Sequence, residues 1–424
     1  MRAALRGLTT RGRCLLAAGL AALGCAVLLG EKDLLRVAFL LLALPLVSAI
    51  VVARARYRLS CTRTLLPDHV AISQQAEVHL QVQNVALLPT SPMLLEDELP
   101  YALGGTPRFV VERTGAGQRR GVRYSVRSEL RGRFRIGPLR LRLSDPFGLV
   151  EVTRSFTSVE TLTVMPKVVP LPVVRVGGAW STNGTSSSRS VASRGEDDAA
   201  TREYRHGDDL RKVHWRSTAR VGALMVRREE RPWQARSSLL LDTRSVGHRG
   251  DAPDSSFEWA VSAIASVGIH LVHRGHGVTL TTGGDLRGLE LTSDIAILDR
   301  LADTRLTRAH DLDELAAAVR RADEDASLIA VFGLLTADQA GVLAGCRPPT
   351  APNVAVLLES TSWLALSPDA AAKSHALNAA AGAEFTRGGW RVVRVARGDS
   401  IADSWARAGI GESGMRATFM EQLR

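Results

Sequence analysis

Two long apolar runs near the amino terminus constrain the chain more than any other feature of its sequence. They cover residues 14–30 and 34–53, and only residues 31–33 separate them. A helix needs about 17–25 residues to cross the ~30 Å hydrocarbon core of a bilayer, so each run is long enough. The sequence therefore predicts a transmembrane helical hairpin within residues 1–56.

Arginines flank the two outer ends of this hairpin. They are Arg2, Arg6, Arg11 and Arg13 before the first run, and Arg54, Arg56 and Arg58 after the second. Basic residues favour the cytoplasmic side, so we expect both termini and the bulk of the chain in the cytoplasm, in a multi-pass plasma-membrane protein. A cleaved signal peptide is the alternative, since residues 22–25 are similar to a lipoprotein cleavage box. Against it, the first apolar run continues through Leu29, and the second would still need a membrane.

Residues 57–165 consist of short alternating runs, such as 77–82 and 122–127, that are separated by Gly and Pro. This spacing lacks helical periodicity and is typical of an all-β sandwich. We expect a small antiparallel, immunoglobulin-like domain, with residues 145–148 forming a turn between strands.

Nine arginines and one acid, Glu129, lie between Arg119 and Arg142. In residues 131–136 they alternate with apolar residues, which predicts a basic sheet face. That face has two interpretations: a solvated surface whose charges protect strand edges, or a surface attracted to anionic lipid. Nucleic acid is not an expected partner, because no known binding motif accompanies the charge and aromatics make up 5% of the chain.

Strand and helix patterns alternate in residues 236–424, after a Ser- and Gly-rich connector at 166–200 that we expect to be flexible. The alternation predicts an α/β, Rossmann-like domain with a parallel sheet covered on both faces. The predicted strands are 238–242, 278–282, 328–332, 354–358 and 391–395, and the predicted helices are 255–272, 295–302, 312–322, 337–343 and 370–381.

The composition does not identify a binding partner, but the cysteines indicate the redox state of the compartment. The net charge of +11 is carried by arginine, with only four lysines. The four cysteines do not make a disulfide framework, since Cys14 and Cys25 lie in an apolar run and the other two are far apart. A reducing compartment fits this pattern.

Residues 201–235 concentrate charges, imidazoles and an indole. Gly207 interrupts the chain and Asp208 is a suitable N-cap, so we expect a helix to follow. Leu210, Val213 and Ser217 would share one face of it, with Arg211 and Trp215 stacked four residues apart. Gly222 would end the helix, and residues 223–227 would form a strand.

This segment resembles the signature of a bacterial family known as domain of unknown function 58. The residues that carry the resemblance are Arg202, Glu203, Tyr204, Gly207, Asp208, Arg211, Trp215, Ala219 and Arg220. The two N-terminal apolar helices and the run at 131–138 that leads to residues 145–149 are also similar to that family. The resemblance implies a C-terminal domain similar to von Willebrand A and a partner of the MoxR type, an AAA+ ATPase, in assembly or maturation of envelope-associated complexes.

Domains of the von Willebrand A type often bind Mg²⁺ through Asp-x-Ser-x-Ser after the first strand. Asp242 matches the Asp, but Arg244 and Val246 replace the two Ser residues. We therefore predict no metal or other cofactor, with Asp242 bracing its loop and pairing with Arg244. Likewise, we interpret His270, His273 and His276 as the polar end of a helix rather than as metal ligands.

Three roles remain open for the signature segment: a structural docking element, a partner-recognition surface and a catalytic centre. Interleaved acids and arginines usually pair with one another, which favours binding over catalysis. We expect a non-enzymatic, membrane-anchored protein-binding or scaffold protein. Its binding residues would be Arg202, Glu203, Tyr204, Gly207, Asp208, Arg211, His214, Trp215 and Arg220. The alternative is a metal-assisted hydrolase centred on Glu203, Asp208 and His214.

Overall fold

A computed structural model gives the fold, in which the chain divides into two compact units, Met1–Met165 and Pro166–Arg424. The helices are α1 (Thr10–Leu29), α2 (Lys32–Arg54), α3 (Trp215–Val221), α4 (Ser256–Val272), α5 (Asp294–Asp303), α6 (Leu312–Arg321), α7 (Ala337–Ala344), α8 (Pro368–Arg387) and α9 (Ile401–Ala408). The structure describes residues 7–54, 59–87, 89–90, 92–145, 147–175, 201–204, 213, 215–227, 235–283, 285–308, 312–323 and 326–411.

The first unit begins with the predicted pair of apolar helices, α1 and α2, which pack against each other. Both are long and apolar enough to cross a membrane by length and composition. Gly30 ends α1 in the left-handed conformation, with φ of 71°. Both helices start earlier than the apolar runs. For α1 the reason is its N-cap, since Thr9 Oγ1 accepts a hydrogen bond from Gly12 N and donates one to the Gly148 carbonyl.

The rest of this unit is built of ten short strands. They are β1 (Leu59–Leu66), β2 (His69–Ala71), β3 (Gln75–Asn84), β4 (Met93–Asp97), β5 (Arg108–Val111), β6 (Arg119–Arg127), β7 (Gly132–Ile136), β8 (Leu139–Ser144), β9 (Glu151–Phe156) and β10 (Glu160–Met165). They form three sheets, with strand orders β1-β3-β6, β2-β10-β7 and β5-β4-β8-β9. Nearly all pairs are antiparallel, as predicted, but β10 and β2 run parallel.

The prediction of one basic sheet face is wrong. The arginine-rich strands β6, β7 and β8 belong to three different sheets. On β8, Arg140 pairs with Glu98 at 2.7 Å, and Arg142 pairs with Glu96 at 3.0 Å and with Glu151 at 3.3 Å. These acids lie outside the arginine-rich stretch in the sequence. The charge counted along the stretch is therefore larger than the net charge of the surface on which its arginines lie.

The second unit contains a six-stranded mixed sheet. Its strands are β14 (Arg236–Leu241), β15 (Gly277–Thr282), β16 (Asp285–Leu291), β17 (Ser327–Phe332), β18 (Asn353–Leu358) and β19 (Arg391–Val395), in the order β16-β15-β14-β17-β18-β19. Five strands are parallel, and β16 is an antiparallel edge strand that the sequence did not predict. The remaining strands are β11 (Val174–Arg175), β12 (Thr201–Glu203), β13 (Met225–Arg227) and β20 (Ile410–Gly411).

Helices cover both faces of this sheet, as the alternation predicted. Leu239 and Leu241 on β14 point into one core with α4, whereas Leu240 points into the other with α6 and α7. Both cores therefore depend on a strand that is apolar on its two faces, the pattern of buried parallel strands. The predicted helices are present, α8 is longer than expected, and α9 was not predicted.

The first residues of the connector are attached to the second unit. β11 pairs with β20 in an antiparallel bridge, and Trp405 Nε1 donates to the Pro172 carbonyl at 3.1 Å. Val169 N donates to Ser266 Oγ at 2.9 Å. Hydrogen bonds and strand pairing thus attach this first part of the connector to the domain that follows it. Residues 176–200 lie outside the described part of the chain.

Candidate functional site

The described part of the signature segment is a two-stranded hairpin with a short helix inserted in it. β12 pairs with β13 so that Arg202 is opposite Val226 and Glu203 is opposite Met225. Tyr204 N donates to the Leu224 carbonyl at 2.8 Å, which extends the pairing by one residue.

Helix α3 begins at Trp215, later than predicted, and has no buried residue. The expectation that Val213 lies on the helix is wrong, because Val213 forms an antiparallel bridge with Val226 instead. Both valines are buried, so β-branched side chains stabilise extended pairing here rather than a helical face. Gly222 ends α3 with φ of 79°, as predicted, and its N–H donates to the Thr218 carbonyl at 2.9 Å.

The nine predicted binding residues divide into two groups. Arg202, Glu203 and Tyr204 lie on or just after β12, and Trp215 and Arg220 lie on α3. Glu203 and Arg220 are exposed, Tyr204 is half-buried, and Trp215 is 72% exposed. The other four, Gly207, Asp208, Arg211 and His214, lie outside the described residues, as does Leu210 of the predicted helical face. Of the rival catalytic set, only Glu203 is described.

A second candidate site lies at the carboxyl edge of the parallel sheet, between β14 and β17. The strand order reverses there, which is where ligands bind in open α/β sheets. Asp242 follows β14 directly and is fully buried. Arg244 binds its carboxylate from two sides, with Nε at 3.0 Å from Oδ1 and Nη2 at 2.9 Å from Oδ2. The backbone N–H groups of Arg244 and Gly333 donate to the same two oxygens at 3.0 and 3.2 Å.

These four donors satisfy the acceptor capacity of a carboxylate, which is about four hydrogen bonds. The side-chain cation of Arg244 also occupies the space beside Asp242 where a divalent ion would have to bind. The donor set therefore does not fit Mg²⁺, which requires near-octahedral oxygen ligands. The predicted pairing of Asp242 with Arg244 is present.

The loop after Asp242 fills the crevice at this edge. The Gly247 carbonyl accepts hydrogen bonds from Leu334 N at 2.7 Å and from Ser360 Oγ at 2.6 Å. Gly333 packs so closely that an added Cβ would lie 2.3 Å from the Gly247 oxygen. The usual ligand position of such a sheet is thus occupied by the protein's own backbone.

His248 completes this loop and was not singled out from the sequence. Its Nε2 donates to the Asp242 carbonyl at 2.8 Å, and Nδ1 lies 3.3 Å from Ser256 Oγ. Burial lowers the pKa of His248, although the carboxylate of Asp242 acts in the opposite direction. The imidazole therefore serves as a neutral donor that joins the loop to the start of α4. Its loop position carries no periodic signal, which is why the sequence did not reveal it.

The three histidines near the end of α4 have separate partners. His273 Nε2 lies 2.7 Å from Asp294 Oδ2, and His276 Nδ1 lies 2.8 Å from Ser237 Oγ. His270 contacts the Trp405 ring edge to face. Across the described residues, no group of three or more His, Cys, Asp or Glu side chains could hold a metal ion.

The solved structures that are similar to this chain include distant partial likenesses. A CARDB domain from Pyrococcus furiosus has 17% sequence identity and covers 26% of this chain and 91% of its own, with a TM-score of 0.19. The complex of zinc 2-glycoprotein and prolactin-inducible protein from human seminal plasma matches at 13% identity over 26% of this chain and 98% of that chain, with a TM-score of 0.20. At these TM-scores neither likeness assigns a fold.

Sequence comparison is more informative. The uncharacterized protein YeaD of Bacillus subtilis (strain 168) is 27% identical over 207 residues, which is 46% of this chain and 48% of YeaD. The chain thus matches about half the length of that relative. A family model described as "Protein of unknown function DUF58" matches residues 200–289, which include the signature hairpin, β14 and the Asp242 loop. Over residues 200–289 the chain therefore matches the DUF58 family, in agreement with the resemblance of the signature segment.

Proposed function

We propose that this protein is a membrane-anchored binding protein whose signature segment binds another protein. The observation that carries the proposal is Trp215, which is 72% exposed at the start of a helix with no buried residue. Large aromatic side chains contribute most to binding free energy at protein interfaces, and Trp is the most enriched of them.

The surroundings of Trp215 fit such an interface. Val221 at the end of α3 is 58% exposed and Leu224 in the following turn is 42% exposed. Arg220, also exposed, adds a residue type that is enriched at interface centres. The segment thus combines apolar area with a cationic group that can pair with an acidic partner.

The sheet edge supports binding over metal chemistry. The two carboxylate oxygens of Asp242 already accept four hydrogen bonds, three from Arg244 and one from Gly333 N. We assign the second unit to the von Willebrand A-like fold and the β unit to an immunoglobulin-like sandwich. A binding role for the second unit does not require a bound ion.

Two apolar helices and the arginines around them support the proposed location. We place both helices across the plasma membrane, with the β-strands of the first unit and the whole second unit on the cytoplasmic side. The helix surfaces fit lipid, because Leu28 is 86% exposed and Phe39 is 74% exposed. The proposed partner is a MoxR-type AAA+ ATPase, which is supported by family resemblance alone, and the proposed process is assembly or maturation of envelope-associated complexes.

The test is affinity capture of the full chain from native membranes with bound ATP, followed by identification of the captured ATPase. Trp215→Ala should reduce recovery of the ATPase by about tenfold or more, the effect of removing an interface hot spot. Tyr101→Ala is the matched control, because Tyr101 is 99% exposed but lies in the first unit. Equal recovery by both variants and the unmodified chain would contradict a binding role for Trp215.

The same preparation tests the rival hydrolase. Metal-dependent turnover that disappears in Asp208→Asn, while the variant stays folded, would replace binding by catalysis as the role of the segment.

A further inference from the structure

We propose that the end of the β-sandwich at which α1 and α2 attach is a membrane-contacting rim that inserts apolar side chains among lipid headgroups and binds anionic headgroups with arginine. The rim consists of the described residues of loops 85–92, 112–118 and 145–150, together with the first two residues of β6. Its apolar members are Val85, Leu87 and Phe147, and its basic members are Arg113, Arg119 and Arg120. The inference rests on the proposed anchoring of the helices in a membrane.

Two chain connections fix which end of the sandwich faces the helices. Before α1, Thr9 N donates to the Leu149 carbonyl at 3.0 Å and Glu151 N donates to the Gly7 carbonyl at 2.7 Å. After α2, which ends at Arg54, the chain enters β1 at Leu59, which is paired with Asn84. Five residue steps cover at most about 18 Å. Both connections therefore meet the sandwich at the same end.

Loop 145–150 is rigidly attached to the start of α1. The Asp145 carboxylate accepts backbone hydrogen bonds from Phe147 at 3.1 Å, and from Leu149 and Val150 at 2.7 Å each. Thr9 Oγ1 donates to the Gly148 carbonyl at 2.7 Å. Phe147, which is 61% exposed, is therefore held beside the first turn of the helix. The predicted turn at this position thus also serves as the joint between sandwich and hairpin.

The position of this joint along the helices matches the membrane boundary. Leu149 packs with Leu15 of α1, and with Leu44 and Ala49 of α2. Its carbonyl lies 2.3 Å from the place that a Cβ on Gly12 would take. From Gly12 to the end of α1 at Leu29, a rise of 1.5 Å per residue gives about 26 Å. That length is close to the ~30 Å hydrocarbon core, so the joint lies at headgroup level.

The other two loops lie at the same end. The buried side chain of Asn84, the last residue of β3, donates to the carbonyls of Thr114 and Gly115, both at 3.2 Å, which ties loop 85–92 to loop 112–118. Met93 at the start of β4 is paired with Leu143 near the end of β8, which places loop 145–150 beside them. Leu87 is 95% exposed and Val85 is 56% exposed. Scattered exposed leucines need no explanation, but these apolar tips share one end with the anchoring helices.

The charge of the rim favours anionic lipid. Arg113, Arg119 and Arg120 are exposed on it, and Arg11 and Arg13 are exposed on the first turn of α1. Basic residues beside a bilayer attract anionic headgroups, and apolar side chains at the acyl boundary add to the binding. A mixed apolar and cationic surface at headgroup depth is complementary to that layer.

The test uses the full chain in phosphatidylcholine vesicles with and without phosphatidylglycerol, with the four native cysteines replaced by alanine. A nitrobenzoxadiazole fluorophore is attached at Leu87→Cys, and quenching by spin-labelled lipid is measured. Leu66→Cys is the matched control, because Leu66 is 56% exposed at the other end of β1. Seven residue steps along β1 separate that end from the rim by about 23 Å. Leu28→Cys, inside α1, reports anchoring itself.

Quenching at Leu87→Cys should exceed quenching at Leu66→Cys by about twofold or more, as expected for a residue at the headgroup boundary. Equal quenching at these two positions, with strong quenching at Leu28→Cys, would overturn the rim while the anchoring stands. Absence of quenching at Leu28→Cys would instead overturn the anchoring and the rim with it.

The arginines are tested by their response to lipid charge. Phosphatidylglycerol should increase quenching at Leu87→Cys, and the combined R113Q, R119Q and R120Q substitutions should abolish that increase. Arg127→Gln, at the far end of β6, should preserve it. An undiminished response in the triple variant would overturn headgroup binding by these arginines.

Discussion

At the scale of single residues, Asp97 is the buried charge at the centre of a hydrogen-bonded cluster in the β-strands of the first unit. Arg63 Nη2 lies 2.5 Å from Asp97 Oδ1, and at most 1% of either side chain is exposed. Arg63 also donates to the Ile136 and Ser158 carbonyls at 3.0 and 2.8 Å, and Tyr124 donates to Asp97 Oδ2 at 2.6 Å. Burial, and then the hydrogen bond to Asp97, raise the pKa of Tyr124 far above its ordinary value, so the phenol remains a donor. The members of the cluster satisfy one another's hydrogen bonds. Removing one member should therefore lower the free energy of unfolding.

Asp97→Asn should lower the free energy of unfolding by about 3–5 kcal/mol, because it leaves the Arg63 guanidinium buried without a counter-charge. Chemical denaturation of the purified protein in detergent measures the loss. Glu98→Gln is the matched control: this neighbouring carboxylate pairs with Arg140 but is 47% exposed. An exposed pair contributes at most about 1 kcal/mol. Similar losses in the two variants would contradict the importance of the buried pair.

Because of His248, the free energy of unfolding should decrease at acidic pH. Burial lowers its pKa in the folded protein, so below its ordinary value of 6.5 the unfolded chain binds more protons than the folded one. The free energy of unfolding should therefore be maintained above pH 6.5 and fall as the pH drops towards the lowered pKa. Denaturation at pH 7.5 and 5.5 measures this difference, which should shrink in His248→Gln.

The control for that pH effect is the unmodified chain, measured at the same two pH values. A pH dependence that is equally large with and without the His248 side chain would show that another group is responsible.

Among the elements, the α1–α2 hairpin depends on one close approach. A Cβ on Gly19 would lie 2.9 Å from two side-chain atoms of Leu42 and 3.2 Å from the Leu41 Cβ. Small residues allow such approaches in membranes, where packing rather than hydrophobic burial holds helices together.

Gly19→Ile should separate the two helices and lower the melting temperature of the protein in detergent, because the added side chain has no space. Gly24→Ile is the control on the same helix, since a Cβ there meets nothing within 4 Å. Calorimetry of both variants measures the effect. If the two substitutions changed the melting temperature equally, helix contact at Gly19 would not be the cause.

Elements with strong periodicity could be predicted from the sequence, and those fixed by distant partners could not. The apolar runs gave α1 and α2, and the capping pattern gave α4, whose Ser255 side chain accepts from Glu258 N at 3.2 Å. In contrast, the sequence pattern predicts that Val213 lies on a helix, but it forms a β-bridge with Val226, thirteen residues away. Strand β16 was missed because its pairing with β15, rather than its own pattern, defines it.

The candidate sites were predictable to different degrees for the same reason. The Asp242–Arg244 pair could be inferred because both residues lie within three positions and one replaces an expected ligand. Gly333 and Ser360 lie more than 90 residues away from the groups they bind, so no local pattern could connect them to this loop. Arg63 did carry a signal, since it occupies the inward phase of β1 between Cys61 and Leu65.

On the scale of the whole molecule, we propose that the α1–α2 hairpin anchors the β-strands of the first unit and the whole second unit on the cytoplasmic side of the membrane. Only Gly30 and Glu31 lie between α1 and α2, so almost nothing of the hairpin would extend beyond the far side of the bilayer. The exposed signature helix with Trp215 would then be available to an intracellular ATPase and to no extracellular partner.

Protease protection tests this arrangement most directly. Protease added to intact cells should leave the C-terminal unit undigested, whereas protease added to inverted membrane vesicles should degrade it. Degradation of the C-terminal half from outside intact cells would contradict the proposed orientation and, with it, binding to an intracellular ATPase.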